Sequence, residues 1–247
     1  MRLFEDLPPA ISHPAHTAHE LKLVTTGGAP FRCDGCMQLG DDGPRYSCEA
    51  CSFDLHTCCA VPTATLQHAL FKKCTFTFHH EPPSGGRHCD ACGDDVVGFV
   101  YHCHKSGLDL HPSCAQLPER HVQDGQVFEL RKEASRPCRF CGKNGYRSEF
   151  WAYRSYCDGE VSYLHVACLK GAPRTRKVSS GGQIVLAEAP IIDGVLLSLP
   201  ASTRRSRGFD RFRKIVGVVA SVIIAVIFGN PMALIATVAG PSGLLRG

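Results

Sequence analysis

The first two-thirds of this sequence lack the apolar material for one large core. Gly and Pro are scattered through it, and the chain of 247 residues holds a single Trp and three Met. Modules of about 50 residues bury little apolar surface and usually need a metal or disulfides to stay folded. A second absence is at the N-terminus. Met1-Arg-Leu-Phe-Glu-Asp-Leu-Pro-Pro9 is acidic and has no apolar stretch of the kind a secretory signal carries. A third is basic charge. Residues 1–172 hold 17 Lys+Arg against 20 Asp+Glu, a net of −3, so this region is not the surface that phosphate binding needs. The basic surplus sits in residues 173–214, with nine basic and three acidic residues, a net of +6.

What the sequence has instead is Cys and His. All 15 Cys and all 13 His fall within the first 168 residues. A secreted disulfide framework would account for the Cys. It would not require His at fixed offsets from them, and the absence of a signal-like stretch favours a reducing compartment, cytosol or nucleus. Cys33-Asp-Gly-Cys36 is followed by Cys48-Glu-Ala-Cys51, then His56 and Cys59. Two Cys-x2-Cys pairs with a trailing His and Cys match a zinc-ligand pattern, because each Cys-x2-Cys turn brings two thiolates to one ion. Each Cys3His centre adds about one further negative charge through its deprotonated thiolates.

The block recurs. Cys89-Asp-Ala-Cys92 fits over Cys33–Cys36, and Tyr101-His-Cys103 fits over Tyr46-Ser-Cys48. Leu110-His111-Pro-Ser-Cys114 fits over Leu55-His56-Thr-Cys-Cys59, and His68, Phe71 and Cys74 repeat the spacing of His13, His16 and His19. A third, worn copy keeps Cys138-Arg-Phe-Cys141 and His165-Val-Ala-Cys168, with Cys157 and Glu160 where a Cys-x2-Cys pair stood before. Register kept over some 50 residues marks a repeat architecture. The fold expected is three small zinc-stabilised modules in tandem, short β-hairpins with knuckles and a short helix, followed by a C-terminal hydrophobic helical segment. The boundaries read as 13–70, 71–122 and 127–170 for the modules, 173–214 for a basic linker and 215–240 for the hydrophobic segment.

Tyr46-Ser-Cys48-Glu-Ala-Cys51-Ser-Phe53-Asp-Leu55-His56 through Ala60, with the spaced His before each module, resembles the plant cysteine/histidine-rich divergent C1-type zinc-finger family. Those modules are distant relatives of the diacylglycerol-binding domains of protein kinase C. The resemblance covers about residues 13–170. It implies interleaved ligands, one ion on the first and third ligand pairs and another on the second pair plus flanking residues. Carried over, it implies four complete zinc sets: Cys33, Cys36, His56 and Cys59; His19, Cys48, Cys51 and His68; Cys89, Cys92, His111 and Cys114; and Cys138, Cys141, His165 and Cys168. His16 is a substitute for His19. A fifth, incomplete set is Cys74, Cys103 and His121, with Ser106 in place of a Cys and His102 or His104 as candidates for the vacancy. The site around Cys157 and Glu160 is expected to be empty.

Catalytic zinc keeps a position open for water with a general base nearby. Complete sets leave none, so the expectation is a binding module, not an enzyme. A thioredoxin-like Cys-x2-Cys would need a βαβ context, which the sequence does not offer.

Residues 215–240 carry no charge over 26 positions. As one helix they would rise about 39 Å, enough for a hydrocarbon core of about 30 Å. Gly229-Asn-Pro231 interrupts them, and a helix stopping there would span only about 21 Å. A tail anchor, a membrane-embedded hairpin and a buried soluble pair all fit. The basic run Arg204–Lys214 would keep its side of a span cytoplasmic, or lie on an anionic membrane surface. The functional expectation is a signalling adaptor at a membrane, with zinc modules facing the cytosol and a protein or lipid partner. Loop residues Asp41, Asp42, Asp94 and Asp95 weigh against anionic lipid. A nucleic-acid-binding finger in cytoplasm or nucleus is the alternative. A ubiquitin-ligase cross-brace is disfavoured because the His here follows the second Cys pair and no third pair is present.

Overall fold

Strands form here where polar and apolar residues alternate, and each Cys/His block builds one four-stranded antiparallel sheet. The structure is a computed structural model that describes residues 7–25, 30–40, 43–123, 126–143, 150–157 and 160–170. The linker expected at 173–214 and the hydrophobic segment expected at 215–240 lie outside the described residues. Among the described residues no helix is long and apolar enough to cross a membrane.

The first sheet comprises β1 (Ala10–His13), β2 (His16–Val24), β5 (Arg45–Cys48) and β6 (Phe53–His56), in the order β1-β2-β5-β6. A two-stranded ribbon, β3 (Phe31–Arg32) and β4 (Leu39–Gly40), carries the first knuckle, and α1 (Thr57–Ala60) follows β6. The second sheet comprises β7 (Thr65–Leu66), β8 (Phe76–His79), β11 (Val100–Cys103) and β12 (Leu108–Leu110), in the order β12-β11-β8-β7. Its ribbon is β9 (Arg87–His88) and β10 (Asp95–Val96). The third comprises β13 (Arg120–Gln123), β14 (Gln126–Arg131), β15 (Ala152–Cys157) and β16 (Glu160–His165), in that order, followed by α2 (Val166–Lys170).

The registers superpose. Tyr46 lies opposite Leu23 and Leu55, Tyr101 opposite Phe78 and Leu110, and Tyr153 opposite Leu130 and Leu164. All three tyrosines are buried, and burying such a side chain contributes about 1.5–3 kcal/mol. Tyr46 donates its hydroxyl to the Pro8 carbonyl at 2.7 Å, and Tyr101 donates to the Thr63 carbonyl at 2.9 Å. The second sheet therefore starts at Thr65, ahead of the break expected at residue 70. The third starts at Arg120, ahead of the break expected at 122.

The first two sheets share one compact unit, and a second unit begins at Arg120. Within the first unit Phe99 enters the core of the first sheet, its N–H donating to the Gly35 carbonyl at 2.9 Å. Gly98 sits so close that a Cβ would fall 2.0 Å from the Gly35 carbonyl oxygen.

Candidate metal centres

One type of centre is built three times in the same way. The N–H of the first Cys of each Cys-x2-Cys knuckle donates to a carbonyl five residues on: Cys33 to Gln38, Cys89 to Asp94 and Cys138 to Lys143. The residue after the second Cys takes a left-handed φ: 59° at Met37, 76° at Gly93 and 67° at Gly142. The hairpin His then meets the knuckle. Nδ1 of His56 lies 3.3 Å from Cys36 Sγ, that of His111 3.4 Å from Cys92 Sγ, and that of His165 3.5 Å from Cys141 Sγ. Each of these His donates its backbone N–H, at 3.4 Å, to the first Cys of its knuckle: Cys33, Cys89 and Cys138. A short turn of helix or 3-10 helix supplies Cys59, Cys114 or Cys168 as the fourth ligand.

The clusters Cys33/Cys36/His56/Cys59, Cys89/Cys92/His111/Cys114 and Cys138/Cys141/His165/Cys168 each hold four ligand atoms within 4.8 Å of one another. All the described cysteines are free thiols, and all but one of these nine are buried. Crowding splits their proton affinities. Burial opposes ionisation of Cys33, yet hydrogen bonds from Cys36, Cys59 and His56 hold its thiol well below the usual range. A hydrogen bond from Cys168 brings Cys138 down to about 3. Burial and hydrogen bonding to Cys33 push Cys59 well up, and hydrogen bonding to Cys138 does the same to Cys168. Burial lowers His56, but the Cys33 and Cys36 thiols override it and hold the imidazole well above its ordinary value. A divalent cation with thiolate and imidazole ligands fits these donor sets and relieves the crowding.

The fourth cluster is of another type: His16, His19, Cys48 and Cys51. Nδ1 of His19 lies 3.6 Å from Cys48 Sγ and 3.3 Å from Cys51 Sγ. His16 stacks on Phe53 at 4.6 Å, and its Nε2 is buried with no hydrogen-bond partner, as an unfilled ligand nitrogen would be. His68, expected as the fourth ligand, does not join. It opens the second sheet's first turn, where its Nδ1 accepts from Leu70 N–H at 3.2 Å. His13 does the same in the first sheet, accepting from Ala15 N–H at 3.2 Å. His68 is thus the counterpart of His13, and His16 joins His19 as the second imidazole.

The fifth set does not assemble. Register places Cys74 at the position of His19, Phe71 at that of His16, Cys103 at that of Cys48 and Ser106 at that of Cys51. Two thiols remain, and a hydroxyl bridges them: Ser106 Oγ lies 2.9 Å from Cys74 Sγ and donates to Cys103 Sγ at 3.0 Å. His121 lies on β13, paired opposite Phe128. His102 is engaged by Asp109 at 2.9 Å instead of filling the vacancy. In the third sheet, Gln126 stands at the His19 position and Ser155 at the Cys48 position. A hydrogen bond from the Gln126 amide to Ser155 Oγ replaces the metal there. Cys157 and Glu160 pair with each other at the hairpin end, beyond that point, and the Glu160 carboxylate accepts from Arg139 at 3.0 Å.

The C1 domain family model matches residues 14–60 and 69–115. These two stretches are similar to C1 domains, a family of zinc-finger modules. Such modules bind zinc, and they are in general interaction modules, not catalysts. The third sheet carries the same kind of cluster outside the matched residues. A 64-residue stretch is 34% identical to probable nucleoredoxin 1 of Arabidopsis thaliana, covering 26% of this chain and 11% of that protein. No solved structure matches the chain.

Proposed function

We propose that this chain is a zinc-clamped adaptor that holds a protein partner in signalling at a membrane. The observation that carries the reading is the closure of the clusters. Each of the four has four Cys/His ligands, so none keeps a position for a reacting water. Zinc here is a clamp that fixes loops, and fixed loops of variable sequence are what a recognition surface requires. Residues 215–240 supply the anchor in this reading, and the basic run before them holds the zinc modules on the cytosolic side. The acidic balance of residues 1–172 favours a protein over an anionic lipid or a nucleic acid. The resemblance to probable nucleoredoxin 1 covers too little of that protein to carry over what its name implies.

The test uses the tagged full chain and a chain lacking residues 215–247. The full chain is expected in the membrane fraction and resistant to carbonate, with the truncated chain diffuse. Cross-linking in intact cells is expected to give protein adducts that Cys33→Ser removes. Carbonate release of the full chain would overturn the anchor. Adducts to nucleic acid with steep salt dependence would overturn the protein partner.

A further inference from the structure

The second sheet carries three imidazoles that belong to none of the four clusters. Tyr101, Phe78 and Leu110 pair with one another on the face that includes Cys103. On the other face His79 pairs opposite Val100, and Asp109 pairs opposite His102. His104 follows His102 two residues on. The three imidazoles cluster: ring centres are 4.6 Å apart for His102 and His104, 5.5 Å for His79 and His104, and 6.2 Å for His79 and His102. Their planes stand at 88°, 80° and 69°. An imidazole nitrogen about 2 Å from a tetrahedral ion puts two such ring centres about 5 Å apart, so the His102–His104 and His79–His104 spacings suit a shared ion, while the three rings are not yet turned so that all their ligand nitrogens converge as those of the four clusters do.

Two further features point the same way. Asp109 Oδ1 lies 2.9 Å from His102 Nδ1, and Arg87 Nε donates to Asp109 Oδ2 at 2.6 Å. A carboxylate on one ring nitrogen fixes the tautomer and leaves Nε2 as the ligating atom, the usual support behind a metal-binding His. His79 Nε2 is buried with no hydrogen-bond partner. The fold does not demand these imidazoles. The positions of His79, His102 and His104 hold Val24, Ser47 and Glu49 in the first sheet, and Arg131, Arg154 and Tyr156 in the third.

We propose that His79, His102 and His104 form an additional, open site for a divalent first-row metal, with Asp109 positioning His102. Imidazole-only donors suit Zn2+, Cu2+ and Ni2+. The His side-chain torsion next to the ring is soft, so His79 and His104 can turn onto the point His102 faces. Three ligands leave a fourth position for water, so the ion exchanges where the closed clusters hold theirs.

The full chain, with its closed clusters loaded, is titrated with Zn2+ and separately with Co2+. Wild type is expected to take up one ion beyond the closed clusters. That Co2+ adds visible d–d absorption with no new thiolate charge transfer. His104→Asn, on an exposed residue, and His79→Asn are expected to lose that ion and keep the others. Asp109→Asn is expected to bind it about 10-fold more weakly or worse. Equal uptake by wild type and His104→Asn would overturn the site. So would an extra ion that Cys74→Ser removes and His104→Asn does not, because it would belong to the thiol pair.

Discussion

Met37 and Ser52 hold φ of 59° and 51°, at positions that are Gly93 and Gly142, and Gly107, in the other copies. A side chain in the left-handed region costs about 1–2 kcal/mol, and glycine gives back about 0.5–1 through the unfolded chain. Met37→Gly is therefore expected to raise stability by about 0.5–1 kcal/mol in urea unfolding of the zinc-loaded protein. The two imidazoles at issue in the first module separate cleanly. His16→Ala is expected to cost one zinc per chain by elemental analysis, and His68→Asn none. His68 has its own signature. Burial holds it down to about 4, below the ordinary 6.5. The unfolded chain then takes up a proton as pH falls below about 6.5, while the native chain takes none until about 4. Stability drops as pH falls through that window. His68→Asn retains an acceptor for Leu70 and removes the titration, so its stability should fall less than wild type between pH 7 and 4. Parallel curves would show that His68 is not buried neutral.

At the scale of strands and knuckles, the three copies share one centre and diverge at the other. The shared centre is held by a knuckle, a hairpin His and a short turn of helix, all local to each sheet. The divergent one depends on the first hairpin, which supplies two imidazoles only where β1 and β2 are joined with His16 and His19 in place. Restoring both lost ligands in the second module, Phe71→His with Ser106→Cys, is expected to add one zinc per chain. Ser106→Cys alone should add less, because two thiolates and Cys74 lack the fourth donor. The contact between the first two sheets is similarly specific. Gly98→Ala drives a methyl toward the Gly35 carbonyl and is expected to cost about 1–3 kcal/mol, read as a lower thermal midpoint with unchanged zinc content.

For the whole molecule, metal and core must be weighed together. Apparent zinc-binding free energies of about 10–16 kcal/mol per structural site match or exceed the 5–15 kcal/mol that holds a typical domain together. Each sheet has a central Tyr with a small set of apolar side chains against it, Trp151 and Tyr163 among them in the third. Chelation at neutral pH is therefore expected to abolish the strand signal in circular dichroism, with recovery on adding Zn2+. Sheets that persist without metal would show that packing alone suffices.

Cys and His spacing determined the repeat and pointed to zinc, and the resemblance to divergent C1-type modules implied the three like clusters, because a Cys-x2-Cys turn and a hairpin His are short-range features that a one-dimensional pattern records. Their shared register also carried a clue about His68, since it aligns with His13 and not with a ligand. What only the tertiary structure decided is which flanking residues reach which ion. His16 and His68 are both histidines near a turn, and pairing of β1 with β2 and of β7 with β8 sends one to the thiols and the other to a backbone N–H. The Gln126–Ser155 bond and the His79–His102–His104 group likewise exist only across strands, where register, and not spacing along the chain, sets neighbours.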